Sequence, residues 1–243
     1  MDEGQHLESF TALSPAKINP FLRVINRRSD GYHNIEAIFI AIDLFDELQF
    51  DPSGELEFSA EGGAQLPTGS DNLVFRAAEL LRKEAGITKG ARIHLRKKIP
   101  MGAGMGGGSS NAATALQVLN RIWDIHFPVE RLVQIGLAVG SDVPFFLREW
   151  TSAIGEGRGE KLRGLPDFCE KALVLIQPGV HVSTRWAYER ITKLLTGPRQ
   201  NVNLDRLYQD YLQGRIPLSQ LLYNDFEEVV FLSTQSWQAS SSN

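Results

Sequence analysis

A glycine-rich segment of the chain could bind phosphate. Residues 99–113 read I-P-M-G-A-G-M-G-G-G-S-S-N-A-A, with five glycines within the seven positions 102–108. Glycine adopts positive φ without strain and lets a ligand approach the backbone closely. The residues that follow predict a helix, and the first N–H groups of a helix lack internal partners and lie at the positive end of its dipole. The segment therefore predicts a cradle for the polyphosphate of a nucleotide.

The elements on either side of the glycines follow from the pattern of apolar residues. Residues 91–99 alternate apolar with polar side chains, as a half-exposed strand does. After the glycines, apolar residues recur at steps of three and four, which predicts a helix with Ser109 and Ser110 as its caps. The apolar stripe consists of Ala112, Ala115, Leu116, Leu119, Ile122 and Trp123. The predicted unit is a strand, a glycine loop and a helix.

A short basic cluster, Arg96, Lys97 and Lys98, adjoins the glycine segment. It is interpreted as positive charge that serves the phosphate. The solvated face of a strand is an equally good interpretation, so the sequence leaves both open.

Other meanings of the glycine segment remain open. It lacks the lysine of a Walker loop, G-x-x-x-x-G-K-[ST]. Gly102, Gly104 and Gly107 do spell the dinucleotide fingerprint G-x-G-x-x-G, but the preceding strand is half charged and Asp124 lies at the helix rather than at the end of a following strand. A tight turn without a ligand is the third possibility, although so many glycines carry an entropic cost that a turn does not require.

Length and composition favour an enzyme of the cytoplasm. The 243 residues carry a formal net charge of −4 with a pI near 5.8, whereas nucleic-acid-binding proteins usually show a basic excess. Cys169 is the only cysteine, which excludes an intrachain disulfide, and the histidines lack metal-ligand spacing. No apolar run approaches the length of a membrane span, and the acidic start of the chain is unlike a signal peptide. We therefore expect no nucleic-acid partner and no membrane.

The rest of the chain is predicted to mix strands and helices. Predicted strands cover residues 21–26, 35–50, 56–58 and 172–176, with a turn at Asp30-Gly31 between the first two. Predicted helices cover residues 73–84, capped by Asn72 or Asp71, and residues 129–139, 184–195, 204–212 and 218–222. Gly and Pro cluster at residues 164–167, which predicts one domain over residues 1–165 and a second over residues 166–243.

Five blocks of sequence, in order, resemble one family of small-molecule kinases. The glycine segment is similar to the P-x-x-x-G-L-G-S-S motif of the GHMP kinases, which include galactokinase, homoserine kinase and mevalonate kinase. The other blocks are S-P-A-K-I-N at 14–19, R-S-D-G-Y-H at 28–33, G-S-D-V-P-F-F at 140–146 and N-D-F-E at 224–227. Together they resemble the 4-diphosphocytidyl-2-C-methyl-D-erythritol kinase family, from about Ser14 to Val230.

The resemblance implies an ATP-dependent enzyme. Members of this family transfer the γ-phosphoryl group of ATP to the 2-hydroxyl of 4-diphosphocytidyl-2-C-methyl-D-erythritol, in the non-mevalonate route to isoprenoids. Their catalytic lysine and aspartate fall on Lys17 and Asp142 of this sequence. Positioning and charge neutralisation dominate phosphoryl transfer, so a carboxylate can orient the hydroxyl while an ammonium stabilises the transferred charge. Without the resemblance, Asp142 is a turn or cap residue and Lys17 is a surface lysine.

The resemblance also implies which residues bind the two substrates. Those assigned to ATP are Pro100, Met101, Gly102, Ala103, Gly104, Met105, Gly106, Gly107, Gly108, Ser109, Ser110 and Asn72. Those assigned to the cytidine substrate are Asn19, Tyr32, His33, Thr184 and Tyr188, with an aromatic face contributing about 1–3 kcal/mol of stacking per base. Tyr188 could equally be a core aromatic of an amphipathic helix. Mg²⁺ is implied by the chemistry of ATP, and no ligand for it can be assigned.

The fold that the resemblance implies is α+β. It is the GHMP kinase fold, with a two-layer amino-terminal domain like the second domain of a small-subunit ribosomal protein, a ferredoxin-like carboxy-terminal domain, and the site between them. The expected partner is a small-molecule cytidine diphosphate, and the chain is expected to be a monomer or weak homodimer. The family's third glycine-rich motif should follow N-D-F-E, but residues 232–243 are polar and serine-rich. The carboxy-terminal domain is therefore expected to be incomplete, and turnover to be impaired.

Three other functions remain open. A shortened chain could bind nucleotide without transferring phosphate. Another GHMP kinase could act on a different alcohol, such as mevalonate or homoserine. An NAD-binding dehydrogenase would account for the G-x-G-x-x-G match, and a titration with NADH would distinguish it from the kinases.

Overall fold

The structure is a computed structural model and describes residues 9–62, 66–168, 172–177, 182–195, 199 and 202–231. The chain divides into two units. The first unit is Met1–Lys17, Ile42–Met101 and Met105–Glu149, and the second is Ile18–Ala41, Gly102–Gly104 and Trp150–Asn243. The domain boundary between residues 165 and 166 stays a prediction.

Strands and helices are mixed along the chain, so the α+β prediction is confirmed. The strands are β1 (Phe10–Arg27), β2 (His33–Ser53), β3 (Leu56–Glu61), β4 (Gly90–Arg96), β5 (Ser152–Gly157), β6 (Lys161–Leu165) and β7 (Tyr223–Asn224). The helices are α1 (Leu73–Ala85), α2 (Gly107–Ile122), α3 (Val129–Val139), α4 (Val143–Phe146), α5 (Thr184–Leu194), α6 (Leu204–Leu212) and α7 (Leu218–Leu221). The long strands β1 and β2 contribute residues to both units.

In the first unit, a sheet packs against helices α1 to α4. Strand β4 pairs antiparallel with the second half of β2 and parallel with β3. Burial alternates along β4 as predicted, because Ile93 and Leu95 face the core while Arg92 and Arg96 are exposed. The core joins apolar residues of this sheet to those of the helices, among them Leu48, Phe50, Ile93, Leu95, Ala77, Leu81, Leu116 and Leu119.

Two helix caps in the first unit differ in kind. Helix α1 begins after Asn72, whose Oδ1 accepts a hydrogen bond of 2.8 Å from the Val74 N–H, so the predicted cap is confirmed. Helix α2 begins after Gly106, which lies in the left-handed region and has no side-chain cap. The prediction that Ser109 or Ser110 caps α2 is therefore wrong. The glycine at position 106 allows the helix to start before the two serines.

In the second unit, β5 pairs antiparallel with the first half of β2 and with β6. Strand β7 pairs parallel with β1 at Phe21 and Leu22. Helices α5 to α7 match the predicted segments within one residue at their ends. The core of this unit includes Phe21, Ile38, Ile40, Ile154, Leu165, Leu204, Tyr208 and Leu221.

One predicted strand, at residues 172–176, is wrong. The described residues 172–177 form no regular structure, and their apolar side chains are exposed, with Val174 at 88% and Ile176 at 86%. Strand propensity reflects packing on neighbouring strands, and no strand in the described part of the chain pairs with this segment. The predicted polar tail at residues 232–243 lies outside the described residues.

None of the helices described by the structure is both long and apolar enough to cross a membrane.

The cap of helix α1 can be tested by substitution. Asn72→Ala removes the side-chain acceptor for the Val74 N–H, so the free energy of unfolding should fall by about 1 kcal/mol. Asn72→Ser keeps a capping hydroxyl but loses the bond that Asn72 Nδ2 donates to the Pro67 carbonyl. We expect a much smaller loss for serine in urea unfolding. Equal losses for both variants would assign the stabilisation to the Pro67 contact instead of the cap.

Candidate active site

Three glycines of the predicted phosphate loop need the conformation that glycine allows. Gly102, Gly104 and Gly106 have φ of 67°, 70° and 67°. A side chain in this left-handed region costs roughly 1–2 kcal/mol. The backbone conformation of the loop therefore requires glycine at these three positions.

The start of helix α2 presents backbone donors. The first intrahelical bond runs from the Ser110 N–H to the Gly106 carbonyl, at 2.9 Å. The N–H groups of Gly107, Gly108 and Ser109 precede that bond, and no side chain caps the helix. They lie at the positive end of the helix dipole, which favours an anion.

Glycines 106 and 107 are also required by space. A Cβ on Gly106 would lie 3.1 Å from Lys17 Cγ and 3.1 Å from the Phe146 ring. A Cβ on Gly107 would lie 2.9 Å from Lys97 Nζ. A side chain at either position would press on the protein itself, so glycine lets the start of α2 pack closely against Lys17, Phe146 and Lys97. The uncapped backbone donors of this helix start are the feature that fits the phosphates of a nucleotide.

Lys17 and Asp142 form an ion pair beside this helix start. The Lys17 backbone N–H donates to the Met105 carbonyl at 3.0 Å, which ties strand β1 to the loop. Lys17 Nζ lies 3.7 Å from Asp142 Oδ2. Lys17 is only 5% exposed, so the alternative of a surface lysine is wrong.

Asp142 lies in the turn that joins helices α3 and α4. The Val143 N–H donates to the Gly140 carbonyl at 3.2 Å, which closes this turn. Asp142 occupies the N-cap position of α4, but its side chain makes no capping bond. Its carboxylate is partly exposed and faces the Lys17 ammonium, so the backbone turn positions the side chain without using it as a cap.

The basic cluster before the loop is held mostly by carboxylates. Arg96 forms ion pairs with Glu61 and Glu47, at 2.8 and 3.0 Å. Lys97 is buried and pairs with Asp46 at 2.7 Å. For Lys97 the alternative of a solvated strand face is therefore wrong, because this residue is buried. The interpretation that Arg96, Lys97 and Lys98 serve the phosphate stays a prediction.

A buried polar group beneath the loop escaped sequence reasoning. Asp46 is fully buried, and Asn111 Nδ2 donates both to Asp46 Oδ2 at 2.9 Å and to Ser14 Oγ at 3.0 Å. The Ser14 hydroxyl donates to Ser110 Oγ at 2.7 Å. In the sequence, Ser14, Asp46 and Asn111 are simply polar residues within strands and a helix. Nothing in the sequence reveals that these positions are buried and in contact.

In the second unit, aromatic rings gather around His33. The rings of His33 and Tyr188 are stacked, with centroids 4.8 Å apart and planes at 21°. Phe226 meets Tyr188 edge-on, with centroids 4.9 Å apart. Tyr188 is half-buried on α5, so it is neither a fully buried core residue nor a surface ring. Thr184, one helical turn earlier, is exposed.

The other two residues predicted to bind the cytidine substrate differ in their surroundings. Asn19 donates from Nδ2 to the Ile38 carbonyl at 3.1 Å, which holds its amide on strand β2. Tyr32 is 54% exposed, and the Arg158 guanidinium lies 4.6 Å above its ring. The structure thus brings His33 and Tyr188 together and leaves Tyr32 stacked on an arginine.

The N-D-F-E block is a second feature whose role sequence reasoning missed. Asp225 accepts bonds of 2.6 Å from both the Val24 N–H and Arg199 Nη1. This bond to Asp225 raises the pKa of Arg199. Burial, and then the neighbouring Asp225, raises the pKa of Tyr223. Asp225 therefore fixes the block to strand β1, next to the residue whose ring meets Tyr188.

Two predicted contacts stay predictions. Asn72 uses its amide for the cap of α1 and for the Pro67 carbonyl, and its contact with ATP is the first of these predictions. Among the described residues no cluster of three or more His, Cys, Asp or Glu could hold a metal, so the ligands of Mg²⁺ remain unassigned.

Sequence comparison identifies the region that contains the loop. Residues 72–149 match the profile of the GHMP kinases N terminal domain. This range includes helix α1, the glycine loop, helix α2 and Asp142.

Comparison of the full chain decides the family. The sequence is 40% identical over 226 residues to a 4-diphosphocytidyl-2-C-methyl-D-erythritol kinase of Prosthecochloris aestuarii, covering 93% of this chain and 78% of the relative. It is 40% identical over 229 residues to the Acinetobacter baylyi protein of the same name, covering 93% and 81%. The chain belongs to the 4-diphosphocytidyl-2-C-methyl-D-erythritol kinase family.

Solved structures agree with this membership. A crystal structure named 4-(cytidine 5'-diphospho)-2C-methyl-D-erythritol kinase is 32% identical, with a TM-score of 0.73, and the match covers 95% of this chain and 81% of that one. A homoserine kinase from Cytophaga hutchinsonii, at 19% identity and a TM-score of 0.55, shares the fold, and the match covers 88% of this chain and 67% of that one. The GHMP kinase fold is confirmed, and the NAD-binding dehydrogenase is wrong, because the family is one of ATP-dependent kinases.

The space at Gly106 yields a test of the loop. In Gly106→Ala the new methyl group would press on Lys17 and Phe146 in addition to straining the backbone. We expect the affinity for a fluorescent ATP analogue to fall about tenfold, a change of about 1.4 kcal/mol.

Gly86→Ala is the matched control for backbone strain. Gly86 has φ of 65°, and nothing lies within 4 Å of the position that an added methyl group would take, so it carries the strain without the collision. Gly86→Ala should lose roughly 1–2 kcal/mol of unfolding free energy and Gly106→Ala at least as much, but only Gly106→Ala should lose nucleotide affinity. Equal affinities in the two variants would contradict the proposed cradle.

Proposed function

We propose that this chain transfers the γ-phosphoryl group of ATP to the 2-hydroxyl of 4-diphosphocytidyl-2-C-methyl-D-erythritol. The observation that carries the proposal is the Lys17–Asp142 pair, tied through the Lys17 N–H to the glycine loop. The names of the relatives at 37–41% identity support the choice of acceptor. The cytoplasmic location and the monomer or weak homodimer stay predictions.

The first unit would bind the triphosphate. The N–H groups at the start of α2 donate to phosphate oxygens, and the helix dipole stabilises the negative charge. Mg²⁺ bound together with ATP would add to this neutralisation of phosphate charge. The glycines keep side chains out of the cradle, so the phosphates approach the backbone itself.

Lys17 and Asp142 would then serve the transfer. The acceptor oxygen attacks the γ-phosphorus, the bond from that phosphorus to the β–γ bridging oxygen breaks, and ADP leaves. Asp142 orients the hydroxyl and takes its proton as the new bond forms, while the Lys17 ammonium stabilises charge on the transferred group. Because the transition state is loose, this positioning contributes more than basicity does.

The second unit would recognise the cytosine base. The Thr192 hydroxyl donates to the Tyr188 carbonyl at 2.8 Å, so the contact of 2.7 Å between Thr192 Oγ1 and His33 Nε2 needs a proton on Nε2. This network assigns the Nε2–H tautomer and leaves Nδ1 as an acceptor. An acceptor at this position suits the exocyclic amine of cytosine, and the Tyr188 ring offers a stacking face.

The arrangement of the aromatic rings favours a nucleotide-containing acceptor over a simple alcohol. Mevalonate and homoserine have no ring that a stacking face could bind. Phe226 supports Tyr188 from its edge, and Asp225 anchors Phe226 through strand β1. A specificity assay with mevalonate and homoserine should therefore show no transfer.

Asp142 can be tested directly. Asp142→Asn keeps the size of the side chain and removes the base, so the rate of ADP formation with the cytidine substrate should fall by about 10²–10⁴-fold. Binding of ATP should be retained, since the start of α2 is unchanged. Asp124→Asn, an exposed aspartate of the same unit, is the control and should keep the wild-type rate.

The wild-type assay separates the alternatives. A wild-type chain that binds ATP without forming ADP in the presence of the substrate would be the nucleotide-binding product that the sequence left open. An unchanged rate in Asp142→Asn would remove Asp142 from the chemistry.

The state of His33 predicts a pH dependence. Burial, and then the charge of Arg27, lowers the pKa of His33 below its ordinary 6.5, so the ring is neutral at pH 7. Protonation converts Nδ1 from an acceptor to a donor, and KM for the cytidine substrate should rise as the pH falls below 6.5. The stability contributed by the neutral ring is present above 6.5 and is lost as the pH falls through the lowered pKa.

His33→Gln is the control for this pH dependence. Glutamine retains a donor and an acceptor but does not titrate. In the His33→Gln protein, the ratio of KM for the cytidine substrate to KM for ATP should be nearly constant across the same pH range. If KM for the cytidine substrate rose equally at low pH in the wild-type and His33→Gln proteins, the titration would belong to another group, such as ATP itself.

A further inference from the structure

We propose that Asp46 is a positioning residue for the ATP loop, a role that rests on the proposed function. Asp46 lies on strand β2, is fully buried and takes no part in the transfer described above. Its carboxylate binds the residues that enter the loop and a residue of the helix that leaves it. It therefore fixes both ends of the segment that would hold the triphosphate.

One carboxylate oxygen holds the entrance of the loop. Asp46 Oδ1 accepts bonds from the N–H groups of Lys98 at 2.7 Å and Ile99 at 2.8 Å. These two residues directly precede Pro100 and stand just before the first of the glycines, Gly102. Two bonds from adjacent amides to one oxygen fix the direction in which the chain enters the loop.

The other oxygen holds the exit. Asp46 Oδ2 accepts from Asn111 Nδ2 at 2.9 Å, and Asn111 lies in the second turn of helix α2. It also accepts from Lys97 Nζ at 2.7 Å, and the same ammonium donates to the Ile99 carbonyl at 2.7 Å. The bonds of one side chain thus span the loop from residue 97 to residue 111.

The network continues to the strand that carries Lys17. Asn111 also donates to Ser14, and Ser14 donates to Ser110 in the first turns of α2. Ser14 and Lys17 both belong to β1, and the Lys17 N–H bonds to the loop at Met105. A shift of α2 relative to Asp46 would therefore move the Lys17 ammonium as well as the helix start.

Lys97 makes the group electrically neutral and fills space below the helix start. A buried carboxylate is costly unless it is paired and hydrogen-bonded, and Asp46 has four donors. Lys97 Nζ lies 2.9 Å from the position of a Cβ on Gly107, directly beneath the first residue of α2. The pair thus supports the residues whose N–H groups would face the phosphates.

The test is Asp46→Asn. Asparagine keeps one acceptor for Lys98 and Ile99, but its amide group faces two donors, the Lys97 ammonium and the Asn111 amide. We expect KM for ATP and Kd for a fluorescent ATP analogue to rise about tenfold, as the loss of a charge-assisted bond implies. KM for the cytidine substrate should change less than about twofold, because its predicted contacts belong to the second unit, whereas Asp46 belongs to the first.

A matched control separates positioning from stability. Leu81→Ala opens a cavity in the core of the same unit, at a residue that is fully buried on α1 and belongs to no part of the network. It should lower Tm without changing KM for ATP, measured at a temperature at which both variants are folded. The proposal would be overturned if Asp46→Asn changed the Kd for the ATP analogue as little as Leu81→Ala does. It would also be overturned if Asp46→Asn raised KM for ATP and KM for the cytidine substrate equally.

A rescue and a milder variant keep the proposal testable. In the Asp46→Asn protein, the new amide group faces two donors, and Lys97→Met removes one of them. The double variant Asp46→Asn/Lys97→Met should therefore regain part of the ATP affinity that Asp46→Asn loses. If Asp46→Asn does not fold, Asn111→Ala removes a single donor, and KM for ATP should rise about threefold. An unchanged KM for ATP in folded Asn111→Ala would overturn the proposal.

Failure of the proposed function gives a different pattern. A wild-type chain that binds the ATP analogue but does not phosphorylate the cytidine substrate would contradict the reaction. The comparison of Kd values between Asp46→Asn and Leu81→Ala would still decide the role of Asp46, since it measures nucleotide binding alone.

Discussion

The beginning of helix α2 combines backbone donors that no side chain caps with the positive end of a helix dipole. In helix α1 the Asn72 side chain accepts a bond from the Val74 N–H, whereas α2 begins after Gly106 and has no side-chain cap. An absent cap costs a helix about 1 kcal/mol, and an anion can supply the missing acceptors. The groups of the candidate phosphoryl-transfer site are arranged about this point, since Lys17 bonds to Met105 and Lys97 lies beneath Gly107.

Local signals in the sequence were enough for most elements of the fold. Alternation predicted β4, and a capping side chain predicted the start of α1. Predictions failed where the deciding partner lies far along the chain. Lys97 looks like a solvent-facing charge until Asp46 is seen beside it, 51 residues away. The exposed segment at residues 172–177 shows the converse, since strand propensity without a paired neighbour did not produce a strand.

The candidate site was predictable to the extent that its residues belong to sequence blocks. Lys17 and Asp142 were assigned through the resemblance, and the structure brings them within 3.7 Å of each other. The residues that support them were not predicted, because Ser14, Asp46 and Asn111 act through contacts among buried side chains. The aromatic support of Tyr188 by Phe226 was missed for the same reason: their proximity arises only when distant parts of the chain fold together.

The interleaving of the two units along the chain has a consequence for how this protein acquires its structure. Each unit is assembled from three separate stretches, so residues 18–41 must leave the first unit and the chain must return to it at residue 42. Neither core can close until segments far apart in sequence have met, and such non-local closure is slow. On the ribosome, strand β1 can pair with β2 as soon as that strand emerges, but its other neighbour, β7, is among the last elements to be synthesised. Intermediates that form before then leave apolar surface exposed.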